Sequence, residues 1–265
     1  MTQFLDKIFA LKKKEVEEKR KRLPFFELFR CVKDLPSSRS FSQALYRRGS
    51  IIAEIKKASP SRGPLSPSVS VAEMGRIYQQ NGASAVSVVT DAKYFSGRLQ
   101  DIGTLRRHLE VPILRKDFII DEYQILESKQ SGADAVLLIA SLLSTRQIRQ
   151  FLKLTRYLGM EALVEIHSEN ELHKALETEA ESIGVNNRNL RSLEVDMKTS
   201  MELLPKIPNS KIKVVESGIR LEKDLISYMR FNVNAFLVGE ALMTAAQPSE
   251  KLRRYCSLLG NDDEN

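Results

Sequence analysis

The stretch IIAEIK at residues 51–56 decides the fold, because it is a β-rich run that carries charges near its end. Side chains alternate along a strand, so Glu54 and Lys56 share one face while Ile51 and Ile55 occupy the other. Opposite charges on the inward face of a buried strand are costly unless they pair or have a function. Two interpretations stay open here: a salt bridge that closes the mouth of a barrel, or part of an active site.

Further β-rich runs follow this stretch, separated by amphipathic segments. The eight predicted strands are residues 51–56, 85–90, 112–116, 135–140, 161–165, 182–185, 211–215 and 235–238. Helical periodicity marks residues 71–81, 122–131, 145–158 and 170–179. Strands that alternate with helices predict an α/β fold with a parallel sheet, and eight strands close a (β/α)8 TIM barrel. A doubly wound open sheet is the alternative, but no glycine-rich phosphate turn follows the first strand.

The chain is long enough for one barrel domain, with 265 residues of which 42% are hydrophobic. We predict an N-terminal helical extension at residues 1–47, the barrel at residues 48–259 and a disordered tail at residues 260–265. In the extension, Phe4, Ile8 and Leu11 form an apolar stripe that must be buried. We expect the extension to pack across or beside the catalytic mouth, with its Lys and Arg residues facing solvent. Packing at the opposite end of the barrel is the alternative.

Charge and composition narrow the class of partner. The net charge of +7 favours a phosphorylated metabolite, a nucleic acid or a membrane surface. Basic residues are interleaved with acidic ones and Trp is absent, which argues against a nucleic-acid-binding module. The first apolar stretch is too short and too charged for a signal peptide or a membrane span. We therefore expect a small phosphorylated substrate, with no nucleic acid and no membrane.

Cysteine and histidine usage bears on compartment and cofactors. The two cysteines occur in no metal or redox spacing, which favours a reducing, cytoplasmic compartment. The three histidines form no ligand cluster, and no nucleotide-binding motif occurs. We expect neither a metal nor another cofactor.

Groups suited to acid–base chemistry recur at the predicted strand ends. Lys116 ends the third strand and Glu165 the fifth, while Asn186 and Arg188 share a face after the sixth. Barrel enzymes place their chemistry at the C-terminal ends of strands, so these side chains should converge on one mouth. Several charged ends that meet in this way argue against a purely structural role.

The ends of the seventh and eighth strands differ in character. Ser217-Gly218 follows one and Gly239-Glu240 the other, and each precedes a predicted helix. Small residues before a helix bring backbone N–H groups close to a ligand, and barrels often bind phosphate at these two loops. Ordinary turn glycines are the alternative.

These motifs together resemble the indole-3-glycerol phosphate synthase family along essentially the whole chain. The run IIAEIKKASPS at residues 51–61 is similar to the signature of the family. The other similar motifs are VSVVTD (86–91) with YFSG (94–97), LRKDFIID (114–121), LVEIH (163–167), GVNNR (184–188), ESGI (216–219) and LVGEALM (237–243). Phosphoribosylanthranilate isomerase and the tryptophan synthase α chain, phosphate-binding barrels of the same pathway, lack the first run and the N-terminal extension.

The resemblance implies a carbon–carbon lyase of tryptophan biosynthesis that needs no cofactor. Its reaction turns carboxyphenylamino-deoxyribulose 5-phosphate into indole-3-glycerol phosphate, carbon dioxide and water. Lys116 would be the general acid of ring closure and Glu165 the general base of dehydration. Lys56, with Glu54 as its partner, would hold the substrate carboxylate. The other implied site residues are Asn186, Arg188, Glu216 and Ser217 around the anthranilate part, Phe95 and Phe118 as its aromatic wall, Ser59, and the backbone at Gly218, Gly239 and Glu240 for the phosphate.

Two residues depart from the family pattern, and the lysines carry an electrostatic expectation. Asn189 stands where the family commonly has Asp, and Arg98 where it commonly has Ser. Two lysines at one mouth should lower each other's pKa while the glutamates raise it, which would tune one lysine toward the working pH. We expect a monomer or a weak homodimer.

Overall fold

Eight parallel strands close into a barrel in a computed structural model that describes residues 3–59, 63–65 and 70–260. The strands are β1 Ser50–Ile55, β2 Ala85–Val89, β3 Ile113–Lys116, β4 Ala135–Ile139, β5 Glu161–Ile166, β6 Ser182–Asn186, β7 Ile212–Glu216 and β8 Ala235–Val238. Each strand pairs with its neighbours in the chain, and β1 also pairs with β8, with Ile52 beside Leu237. The predicted (β/α)8 barrel is confirmed.

Helices surround the barrel and precede it. The first three are α1 Gln3–Arg22, α2 Phe25–Val32 and α3 Phe41–Leu45. Those that follow are α4 Val71–Gln80, α5 Ala92–Phe95, α6 Gln100–Arg106, α7 Glu122–Ser131, α8 Thr145–Tyr157, α9 Glu169–Leu176, α10 Lys198–Leu203, α11 Glu222–Met229, α12 Glu240–Met243 and α13 Pro248–Gly260. A 3-10 turn covers Leu204–Lys206, and Ala58–Ser59 pairs with Gly63–Pro64 in the loop after β1. Gly260 therefore ends a helix rather than starting the tail, and residues 261–265 lie outside the described residues.

The apolar strand sequences reflect burial on both faces. All six residues of β1 and all five of β4 are buried, since helices cover the outside of the barrel and side chains fill its interior. The helices contribute one apolar face each. In α8, for example, Ile148 and Phe151 are buried, and the cap residue Ser144 accepts a hydrogen bond from the backbone N–H of Gln147.

The extension closes the end of the barrel where the strands begin. Glu161, the first residue of β5, accepts hydrogen bonds from the Ser40 hydroxyl at 2.9 Å and the Ser42 N–H at 2.7 Å. Phe41 and Leu45 of α3 are fully buried beside this contact. The C-terminal part of the extension thus lies at the end of the barrel opposite the catalytic mouth, whereas we expected it at the mouth.

The N-terminal helix of the extension lies at the other end, beside the mouth. On α1, Ile8 and Lys12 are buried on the same face, and Lys12 Nζ lies 2.9 Å from both Asp91 Oδ2 and Asp117 Oδ1. These aspartates follow β2 and β3 at their C-terminal ends. The expectation that the lysines of the extension face solvent is therefore wrong for Lys12, whose charge two buried carboxylates balance. Leu11 is only partly buried, and the side chain of Phe4 lies outside the described residues.

Candidate active site

A cavity opens at the C-terminal ends of the strands, and most of the predicted site residues line it. Those on its wall are Glu54, Lys56, Phe95, Lys116, Phe118, Glu165, Asn186, Arg188, Ser217, Gly218, Gly239 and Glu240. Ser59 is buried in the short strand after β1 and is not among the residues that line the cavity. Glu216 is fully buried beneath Lys116. The fold brings the charged strand ends together, as expected.

Lys116 lies among three carboxylates. Its Nζ is 2.5 Å from Glu216 Oε2, 3.6 Å from Glu54 Oε2 and 3.8 Å from Glu165 Oε2. Burial opposes the charge of the ammonium, but the attraction of Glu216, Glu54 and Glu165 outweighs it, so the pKa of Lys116 is raised. The expectation of a lysine tuned toward working pH is therefore wrong for Lys116, which holds its proton firmly.

Glu54 connects the two lysines of the mouth. Its Oε1 lies 2.7 Å from Lys56 Nζ, while its Oε2 faces Lys116. Burial raises the pKa of Glu54, but the two lysines lower it further, so the net shift is downward. Gly239, directly after the neighbouring strand β8, leaves space for this carboxylate, because a Cβ there would overlap Glu54 Oε1. The salt bridge predicted from β1 exists, and it forms part of the cavity wall.

Glu165 and Glu216 share the opposite side of Lys116, and their pKa values move apart. Burial and the nearby Glu165 raise the pKa of Glu216 to about 7 despite the pull of Lys116. Burial also raises the pKa of Glu165, but the contacts with His167 and Lys116 outweigh burial and lower this pKa to about 2. Glu165 is thus ionised at neutral pH, while Glu216 titrates there. Gly184 makes room for Glu216, since a Cβ at that position would overlap its carboxylate.

The side chain of Arg188 is held by the loop after β6 rather than by the adjacent residue, Asn189. Its guanidinium donates to the carbonyl of Leu193 at 2.7 Å and lies 3.7 Å from Glu240 Oε2. Its backbone N–H donates to Asn186 Oδ1 at 2.9 Å. The side chain of Asn189 instead accepts a hydrogen bond from the backbone N–H two residues on, which stabilises the turn. The departure at Asn189 therefore leaves the contacts of Arg188 intact.

The aromatic wall includes a residue close in sequence to Arg98, the second residue that departs from the family pattern. Phe95 and Phe118 lie with ring centroids 6.4 Å apart at one side of the cavity. Arg98 donates to Asp101 Oδ1 at 3.1 Å, and Asp101 Oδ2 accepts from Lys57 Nζ at 2.7 Å. Lys57 thus ties the loop after β1 to the start of α6, whereas Arg98 is largely exposed and pairs within its own segment.

A tight turn after β7 brings backbone to the cavity. Ser217 and Gly218 have φ angles of 64° and 86°, and both line the cavity. A serine in this region costs about 1–2 kcal/mol, and the amide of Asn187 holds the turn by donating to the Ser217 carbonyl at 3.1 Å. The positive φ of Gly218 would strain any other residue, and a Cβ there would also meet Met197 Sδ.

A family model described as indole-3-glycerol phosphate synthase matches residues 5–255. The chain belongs to the indole-3-glycerol phosphate synthase family. It is therefore an enzyme of the carbon–carbon lyase class. A synthase from Alkaliphilus metalliredigens is 42% identical over 257 residues, with 96% of this chain and 98% of that protein covered. A synthase from Campylobacter jejuni subsp. doylei is 42% identical over 254 residues, with 94% and 98% covered.

Solved structures at low identity support the barrel fold alone. The 3-hexulose-6-phosphate synthase of Salmonella typhimurium matches with a TM-score of 0.63 at 13% identity, covering 79% of this chain and 98% of that one. A chain of the tryptophan synthase complex from Pyrococcus furiosus matches with a TM-score of 0.57 at 16% identity, covering 80% and 98%. Among the described residues, no helix combines the length and apolarity that a membrane span requires.

Sequence reasoning missed several residues of this synthase site. Asp91, Asp117 and Arg220 line the cavity, and His167 contacts Glu165 at the end of β5. The signal for His167 was present, because a residue two positions after Glu165 shares its face of the strand. For Lys12 the signal was its place four residues after Ile8, on the stripe predicted to be buried.

Proposed function

We propose that this synthase uses Lys116 as general acid and Glu165 as general base to form indole-3-glycerol phosphate from carboxyphenylamino-deoxyribulose 5-phosphate. The observation that carries the proposal is the single ammonium of Lys116 at the cavity floor, within 4 Å of three carboxylates. A general acid must be protonated before it acts, and the raised pKa of Lys116 supplies that state at neutral pH.

Ring closure places negative charge on the former carbonyl oxygen. An ammonium positioned in a largely buried site offsets that charge more strongly than water does, because the local dielectric is low. Lys116 gives its proton to this oxygen as the carbon–carbon bond forms. Lys56 holds the substrate carboxylate until carbon dioxide leaves, and the return of aromaticity drives the later steps.

The role of Glu165 follows from the same proton transfer. In the empty site its pKa of about 2 makes it a weak base, partly because Lys116 is charged. Once Lys116 has donated its proton, that attraction is gone and the basicity of Glu165 rises. The carboxylate is thereby prepared to take a proton in the dehydration that follows.

The rest of the cavity suits the two ends of the substrate. Phe95 and Phe118, with the apolar Leu137 and Ile139, favour the anthranilate ring. The backbone at Gly218 and Gly239 faces the same cavity, and Arg220 adds a cation, which suits the phosphate. Ser217, Asn186 and Arg188 orient the ring between these ends, whereas buried Glu216 acts through Lys116.

The setting of the enzyme is also a proposal. We propose a cytoplasmic protein that is a monomer or a weak homodimer and binds this metabolite without nucleic acid. The unpaired thiols of Cys31 and Cys256 are consistent with a reducing compartment. Sedimentation at several protein concentrations measures the oligomeric state.

An ultraviolet or fluorescence assay tests the reaction. The purified chain is mixed with the anilino-ribulose phosphate in buffer containing a metal chelator, and indole-3-glycerol phosphate is followed over time. Steady product formation proportional to protein concentration is expected. Absence of product, with substrate recovered unchanged, contradicts the proposal.

A further inference from the structure

A second charged group follows the proposed base on β5. The ring of His167 is 13% exposed, with Nε2 3.2 Å from Glu165 Oε1 and Nδ1 3.2 Å from Glu171 Oε2. The backbone N–H of His167 also donates to Glu171 Oε2, at 2.9 Å. The Nε2–Oε1 contact has the distance of a hydrogen bond without its alignment. Glu171, at the start of α9, therefore fixes the ring against Glu165.

The two carboxylates define the charge of the ring. A neutral imidazole carries one N–H and one lone pair, and a lone pair facing a carboxylate oxygen is repelled. Because both nitrogens of His167 face carboxylates, only the imidazolium form satisfies both contacts. Burial opposes this charge, but Glu165 and Glu171 outweigh it and raise the pKa of His167 to about 10.

Glu165 consequently has one cation at each oxygen. Lys116 lies 3.8 Å from Oε2 and His167 lies 3.2 Å from Oε1. The other polar groups facing this carboxylate are the amide of Asn186 and the carboxyl of Glu216. When Lys116 gives up its proton during ring closure, His167 becomes the cation that still holds Glu165 in place.

We infer that His167 is a positioning residue that, anchored by Glu171, orients the Glu165 carboxylate between ring closure and dehydration. The inference rests on the proposed role of Glu165. It adds a residue that is not expected to touch the substrate, because His167 is absent from the cavity wall formed by the described residues, whereas Glu165 is part of it.

Steady-state kinetics of His167→Asn test the inference against a matched control. His173 is 70% exposed and lies 3.9 Å from Glu169, so His173→Asn removes a similar pair at the surface. We expect H167N to lower kcat at least tenfold with KM within about twofold, and H173N to leave both unchanged. Glu171→Gln should also lower kcat, but by a smaller factor than H167N.

The pH profile separates positioning from mere support of the fold. Loss of the neighbouring cation makes Glu165 easier to protonate, so the acid limb of the kcat profile should move up by about one pH unit in H167N. An unmoved limb, with kcat reduced only alongside a lower melting temperature, overturns the inference. A kcat of H167N within threefold of the unchanged chain also overturns the inference.

Two further measurements keep the test independent of variant folding and of the proposed function. In His108→Asn/His173→Asn, His167 is the one remaining histidine, and its 15N spectrum at pH 8 should show two protonated nitrogens; a neutral tautomer overturns the inference. Glu165→Gln should lose most of its turnover. If E165Q is inactive while H167N is fully active, the inference fails and the proposed function stands. If E165Q is active, the proposed role of Glu165 fails first.

Discussion

Lys116 carries the proposed acid chemistry on one side chain, and its replacement measures how much that chemistry contributes. General acid catalysis contributes roughly a hundred- to ten-thousand-fold, or about 3–5 kcal/mol of activation free energy. We expect Lys116→Ala to lose turnover in that range while circular dichroism shows an unchanged fold. Lys93→Ala, at an exposed residue outside the cavity wall, is the control. Turnover of K116A within threefold of the unchanged chain contradicts the assignment.

Glu216 should titrate near neutral pH. Its pKa is raised to about 7, mainly by burial, so its carboxyl is protonated below that pH and ionised above it. Carbon NMR of protein labelled at glutamate Cδ should therefore show a carboxyl resonance that shifts around pH 7, far above the reference pKa of about 4.3 for a free glutamate side chain. The shifting resonance should vanish in Glu216→Gln. A spectrum without any titration between pH 6 and 8 contradicts this prediction.

One buried cation, Lys12, ties α1 to the barrel beside the mouth. Lys12→Met removes this charge, so buried Asp91 loses its ion pair with Lys12, while buried Asp117 retains its ion pair with Arg115. Breaking a buried pair typically costs about 3–5 kcal/mol. We expect a loss of that order in the free energy of unfolding, measured by urea titration. The neighbouring Lys13 is exposed, so Lys13→Met should change stability by less than about 0.5 kcal/mol. Equal stability of the two variants would show that Lys12 is not an anchor.

Removal of α1 alone separates the contribution of the extension to substrate binding from its contribution to the end of the barrel where the strands begin. Deleting residues 1–23 releases the strand ends that carry Phe95 and Phe118 but keeps α3 beneath the barrel. Ordering these two side chains again on binding costs about 0.5–1.5 kcal/mol each, so KM should rise roughly five- to 150-fold. Deleting residues 1–45 should add a lower melting temperature, because Phe41 and Leu45 are lost as well. An unchanged KM in the shorter deletion would show that α1 has no effect on the site.

The elements could be predicted from the sequence because their signals are local. Alternation of strand and helix patterns located all eight strands, and the observed strand ends differ by at most one residue, as at β1, which ends at Ile55 before Lys56. The ion pairs of Lys12 were not predictable with the same rules. Helical spacing from Ile8 favours the burial of Lys12 among the three lysines at 12–14, but nothing local shows that Asp91 and Asp117 are its partners. Those pairs depend on packing between segments far apart in sequence.

At the scale of the whole molecule, the extension and the barrel should unfold together. The extension is anchored at both ends of the barrel, and the ring of Phe29 stacks on Tyr157 of α8 with centroids 5.9 Å apart. Because the chain contains no Trp, Phe29→Trp introduces a single fluorescent probe of the extension. Its fluorescence and the far-ultraviolet circular dichroism should change at the same urea concentration. A fluorescence change at lower urea would show that the extension is a separate unit.

The pairing of the first strand with the last has a consequence for synthesis on the ribosome. At about 5–20 residues per second, β8 emerges roughly 10–40 s after β1. Until then one edge of β1 lacks its partner and can pair with strands of other chains. Glu54 also lacks Gly239, against which it packs, so the acid–base cluster is completed only when the last strand arrives. The nascent chain is therefore most open to misassociation, and still inactive, over the same interval.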